Sequence, residues 1–106
     1  MTDATQINDL MLELLESNTD WQDSNAIFTK RGREIIDEIS DYAEQTRIFQ
    51  EHKEKGEMFD GSTAQQVFRY MLDRVVNAPT TIHRNSSVIL IMPFVRQKLR
   101  EEEKSK

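Results

Sequence analysis

Residues 88–99, VILIMPFVRQKL, constrain the fold more than any other stretch, because seven successive positions from Val88 to Phe94 carry no charge. Apolar area at that density has to leave water. Val88, Ile91, Met92, Val95 and Leu99 recur at helical spacing and define one buried face. Ile89, Leu90 and Phe94 add a second face. Pro93 interrupts the pattern, since a proline within a helix removes a hydrogen bond and bends the axis. Two geometries accommodate it: a helix over about residues 87–102 kinked at Pro93, or a short strand at 88–91 with Pro93 in the first turn of a shorter helix. No other stretch offers that strand a partner, so the kinked helix is the expected form. The run falls far short of the roughly 20 residues that span a bilayer, and no membrane partner is expected.

Three further helices are predicted around it. In the first, Ile7, Leu10, Met11, Leu14 and Leu15 form a narrow apolar stripe, with Asp3 as cap and Gln6 completing a capping box. Residues 17–25, SNTDWQDSN, have turn composition and should end it. Trp21 within them is read as a plug over one end of the core, with an exposed anchor for a partner as the alternative. The second helix should run from Ala26 or Thr29 to Lys55, with Gly32 an awkward point near its start and Gly56 its stop. Its last turns, EHKEKGE, alternate in charge and read as solvent-exposed. After a turn at residues 58–62, Ser62 and Gln65 are expected to cap a third helix with a broad apolar face: Ala64, Val67, Phe68, Met71, Leu72, Val75 and Val76. Asn77, Ala78 and Pro79 end it. The expected fold is all-α: one domain over residues 1–106, an irregular bundle of about four helices, with the last helix central and the ends (about 1–3 and 102–106) frayed.

Composition narrows the chemistry. The chain has no cysteine, so disulfides and thiolate chemistry are excluded. The start of the chain is acidic and amphipathic rather than basic and then apolar, unlike a secretory signal, and a cytoplasmic setting is expected. Carboxylates at Glu34, Asp37, Glu38, Asp41 and Glu44 cover the outside of the second helix, but a metal or acid–base site needs enclosure that such a face lacks. Gly32, Gly56 and Gly61 are scattered, so there is no phosphate loop. No enzyme activity, metal or cofactor is expected. A small enzyme would need an enclosed pocket at His83, which nothing in the pattern predicts.

Interaction is the expected function. With 37% apolar and 31% charged residues, the chain has a modest core and a large wet surface, yet residues 88–95 offer apolar area on two sides. A helix–helix interface, with a second copy or another protein, would absorb the surplus. The expected contacts are Met58, Phe59, Ile89, Leu90 and Phe94, with Arg96 and Arg100 as a charged rim. Residues 1–28 carry six acids and no base, and residues 74–100 carry five bases and no acid. That asymmetry allows head-to-tail attraction between chains, or within one. The alternative partner is nucleic acid, contacted at phosphates by Lys30, Arg31, Arg33, Arg84 and Lys98, although the net charge of −5 opposes it. His83 and Arg84, ahead of a buried helix, form a candidate anion site.

Overall fold

The computed structural model describes residues 4–23 and 25–104, with side chains from Gln6 onward. Asp3, the expected first cap, lies outside the described residues. The protein is a mostly helical globule: α1 (Ala4–Ser17), a hairpin of β1 (Thr19–Gln22) and β2 (Asn25–Phe28), α2 (Lys30–Glu44), α3 (Arg47–His52), a 3₁₀ helix (Lys53–Phe59), α4 (Ala64–Val76) and α5 (Thr81–Lys104). The all-α expectation holds, with five α-helices and a small sheet in place of about four helices.

The α1 stripe is buried as its spacing requires, with Ile7, Met11 and Leu14 in the core. Side chains close its C-terminus: Asn18 Nδ2 donates to the Glu13 carbonyl at 3.1 Å and Thr19 Oγ1 to that of Leu14 at 2.8 Å. Residues 17–25 are not a simple turn. Thr19 pairs with Phe28 and Gln22 with Asn25 in an antiparallel ladder whose tight turn puts Asp23 at φ 49°. Asp tolerates that left-handed conformation better than most side chains. Thr29 N donates to the Asn18 carbonyl at 3.1 Å, fastening the hairpin base to the end of α1.

Gly32 explains its own awkwardness. A Cβ there would lie 2.7 Å from the Asn18 carbonyl oxygen, so only glycine lets the first turn of α2 press so closely on the end of α1. Thr29 caps that turn, accepting from Gly32 N at 3.0 Å.

The expected long second helix is broken. α2 ends at Glu44, and Thr46 opens α3 by accepting a hydrogen bond from Phe49 N at 3.3 Å. The redirected chain carries Phe49 and Phe59 onto Phe94, each ring centroid 5.5 Å from it. Residues 51–57 are mostly exposed, as their alternating charges predict, while Phe49 and Phe59 on either side of them roof the second apolar face of α5. Gly56 does not stop a helix; it sits inside the 3₁₀ turn against the Phe94 ring. The α4 cap falls one residue later than expected, on Thr63, with Gln66 returning the bond in a complete capping box.

α5 is the central element, packed chiefly between α2 and α4. It begins at Thr81, well before the predicted start, because Thr80 caps it by accepting from His83 N at 3.2 Å. The helix continues through Pro93 to Lys104, so the strand alternative fails. Val88, Ile91, Met92 and Val95 meet Ile35, Ile36 and Ile39 of α2 and Val67, Phe68 and Met71 of α4 in one cluster. Beside Pro93, Ser40 Oγ donates to the Met92 carbonyl at 3.2 Å. Among the described residues, no helix is long and apolar enough to cross a membrane.

Candidate interaction surface

α4 has one face in the core and the other in solvent. The capping box at Thr63 fixes where it starts, and the 3.6-residue period then sends Val67, Phe68 and Met71 inward and Gln66, Arg69, Tyr70, Asp73 and Val76 outward. Val76, expected in the core, is 80% exposed because the helix ends there. Trp21 reaches this face from the hairpin and stacks on Phe68 at a centroid distance of 6.2 Å, while remaining 44% exposed. It is both partial plug and exposed aromatic. Trp21, Gln66, Arg69, Tyr70, Asp73 and Val76 border one shallow depression.

Tyr70 connects that depression to a smaller hollow of about 230 Å³ between α4, the 3₁₀ helix and α5. Its apolar wall is Met58, Phe59, Tyr70, Leu90, Ile91 and Phe94, and Lys55 and Arg74 complete the lining. Tyr70 packs edge-on against Phe59, with centroids 5.6 Å apart. Four residues singled out from sequence thus converge: Met58, Phe59, Leu90 and Phe94. Only Met58, 61% exposed, projects freely; Phe59 and Phe94 belong to the core and present what is left as the wall.

The other sequence candidates lie elsewhere. Ile89 is buried within the chain. Arg96 is no rim residue: its side chain is 8% exposed and is held by Asp41 at 2.5 Å, Glu44 at 2.8 Å and Asp37 at 3.9 Å. Burial opposes the charge of Arg96, but its hydrogen bonds to the Asp41 and Glu44 carboxylates outweigh it and raise its pKa. Arg100 reaches Asp37 at 3.6 Å.

The proposed phosphate-binding cluster is largely neutralised by the chain's own acids. Arg31 bonds Glu13 at 2.9 Å and Glu38 at 3.2 Å, bonds that raise its pKa and lower that of Glu13. Arg33 pairs with Glu103, and Lys98 with Glu101 at 3.5 Å. Lys30 is exposed. Arg84 turns to the Thr81 hydroxyl, 3.3 Å away, and leaves His83 without the neighbour the sequence suggested.

The attraction between chain ends takes a different form from the one expected. Arg96 and Arg100 of α5 are engaged by α2, and of the N-terminal acids Glu13 is taken by Arg31. Among the described residues, no ion pair engages Asp9, Glu16, Arg69, Arg74 or Lys55. Sequence reasoning passed over Tyr70, Arg69 and Arg74. Their signal was available: they occupy positions of α4 off its apolar stripe, and tyrosine and arginine are enriched at interfaces. No family model, curated protein or solved structure matches this chain.

Proposed function

We propose that this chain is a protein-binding module that assembles with copies of itself, head to tail, through the outward side of α4. The observation that carries this reading is the hollow of Met58, Phe59, Tyr70, Leu90 and Phe94, lined also by Lys55 and Arg74, neither of which is ion-paired among the described residues. An apolar recess with cationic groups at its edge suits an apolar side chain flanked by acids.

The chain carries such a group on another helix. On α1, Leu12 is 53% exposed, and Asp9 and Glu16 stand three residues before and four after it, on the same helical face. Leu12 of one copy fits the hollow of the next, with Asp9 and Glu16 facing its cations. Such a contact is heterologous, so it builds rings or open chains rather than an isologous pair.

Complementation tests this. Leu12→Arg disables the donor face and Met58→Asp the acceptor; both positions are exposed, so each variant should fold. Sedimentation should show mass rising with concentration for the parent, monomers for each variant alone, and a one-to-one dimer when the two are mixed. The fluorescence of Trp21, the single tryptophan, should change on mixing. A parent that remains monomeric at millimolar concentration, or variants that do not complement, would overturn the reading.

A further inference from the structure

A second concavity lies beside the hollow, between α3, the 3₁₀ helix, the C-terminal end of α4 and the first turns of α5. It measures about 560 Å³. His52 and His83, the only histidines in the chain, both line it, together with Lys55, Arg74 and the hydroxyl residues Ser86 and Ser87. Two elements separated by the whole of α4 thus bring every imidazole of the protein to one cleft.

The hydrogen bonding of the two rings is informative. His52 Nδ1 lies 3.0 Å from the Ile48 carbonyl, which can only accept, so Nδ1 carries a proton and Nε2 is the outer atom. His83 Nδ1 lies 2.6 Å from Thr80 Oγ1. That hydroxyl already accepts from His83 N, so its own proton is available to Nδ1, which leaves the proton of the neutral ring on Nε2. Both rings are held through Nδ1, and among the described residues both keep Nε2 uncommitted. The single carboxylate in the lining, Asp73, is engaged by Asn77 Nδ2, 3.4 Å from Oδ1. Lys55 and Arg74 lack an ion pair among the described residues, whereas Arg31, Arg33, Arg47, Arg96 and Arg100 all have one.

We propose that this cleft binds a small multivalent oxyanion of the phosphate type, with Arg74 and Lys55 supplying charge and His83 Nε2–H a directed hydrogen bond. Arg74 offers a planar fork matched to two phosphate oxygens, and Lys55 a point charge. The volume exceeds what a lone phosphate fills, so an organic phosphate fits the space as well as the inorganic ion does.

Two imidazoles make the test direct, because the ring carbon–proton NMR signals resolve into His52 and His83 alone. The titration is run on the Leu12→Arg chain, in which the α1 donor face is disabled, so the cleft is read in a monomer and its result does not depend on self-assembly. Inorganic phosphate, pyrophosphate and ribose 5-phosphate are added at matched ionic strength with chloride as control. Saturable shifts of both histidines support the site. Tighter binding of the sugar phosphate identifies an organic phosphate as the natural class, and equal or tighter binding of the inorganic ions identifies those. Adding Arg74→Gln should weaken binding about tenfold, whereas Arg84→Gln, outside the cleft, should leave it unchanged. Shifts that fail to saturate, that chloride reproduces, or that survive Arg74→Gln and Lys55→Gln together would overturn the proposal.

Discussion

Replacing Gly56 with alanine tests how the 3₁₀ helix closes the core. A Cβ at position 56 would stand 2.4 Å from Phe94 Cε1 and 3.0 Å from Cδ1 and Cζ. Ordinary carbon contacts are about 3.5–4.0 Å, so the ring has to retreat by about 1 Å. Phe49 and Phe59 lie against it at 5.5 Å each, and Phe94 is itself buried, so little room exists. Overpacking of this kind costs about 1–3 kcal/mol, and the smaller conformational freedom of alanine in the unfolded chain returns about 0.4–1 kcal/mol. Packing wins, and the net loss should be about 1–2 kcal/mol. For a chain of this length that lowers Tm by roughly 5–15 °C. Urea unfolding should show a lower midpoint with an unchanged slope. A smaller ring partner, Phe94→Leu, should cost less in the Gly56→Ala background than alone. If Gly56→Ala is as stable as the parent, the 3₁₀ helix does not press on Phe94 as described.

The buried guanidinium of Arg96 predicts an asymmetry. Arg96→Met removes a charge that burial already penalises and should cost less than about 1.5 kcal/mol, whereas Asp41→Asn with Glu44→Gln strands that charge and should cost about 2–3 kcal/mol; the order of the two urea midpoints checks it. The Arg31 bond gives a pH dependence. Because it lowers the Glu13 pKa in the folded state, its stabilisation is present above the ordinary glutamate pKa and is lost as pH falls through the lowered value. Glu13→Gln should therefore be less stable than the parent at neutral pH, with the difference closing at the acid end of a series of unfolding curves.

Helices with strong apolar periodicity were legible from sequence. Ile7 to Leu15, Ile35 to Ala43 and Val67 to Met71 carry enough buried positions for spacing alone to place them. The hairpin was not, because its turn lacks the asparagine–glycine or aspartate–glycine pair that marks tight hairpins, and its strands alternate only weakly. Nor was the break after Glu44, where no proline or glycine interrupts the sequence and a single threonine redirects the chain. That one turn changes the reading of the surface, since it brings Phe49 and Phe59 over α5 and covers area that the sequence left exposed. The hollow inherits four of the expected contacts for this reason, while Ile89 and Arg96 are buried inside the chain and Arg100, though exposed, pairs with Asp37. Charge was legible as a total but not as pairings: α2 carries the acids that claim Arg96 and Arg100 of α5, and a sequence cannot show that two helices so far apart lie side by side.

The bonds between α2 and α5 also bear on synthesis. Ser40 to Met92 spans 52 residues, Arg96 to Asp41 spans 55, and Arg33 to Glu103 spans 70. A chain emerging from the ribosome presents Ile35, Ile36 and Ile39 before the helix that buries them has been made. At about 5–20 residues per second, that surface waits several seconds for its partner. Asp37, Asp41 and Glu44, which grip Arg96 once α5 is in place, stand on the same helix, where charged groups beside an apolar face favour solubility.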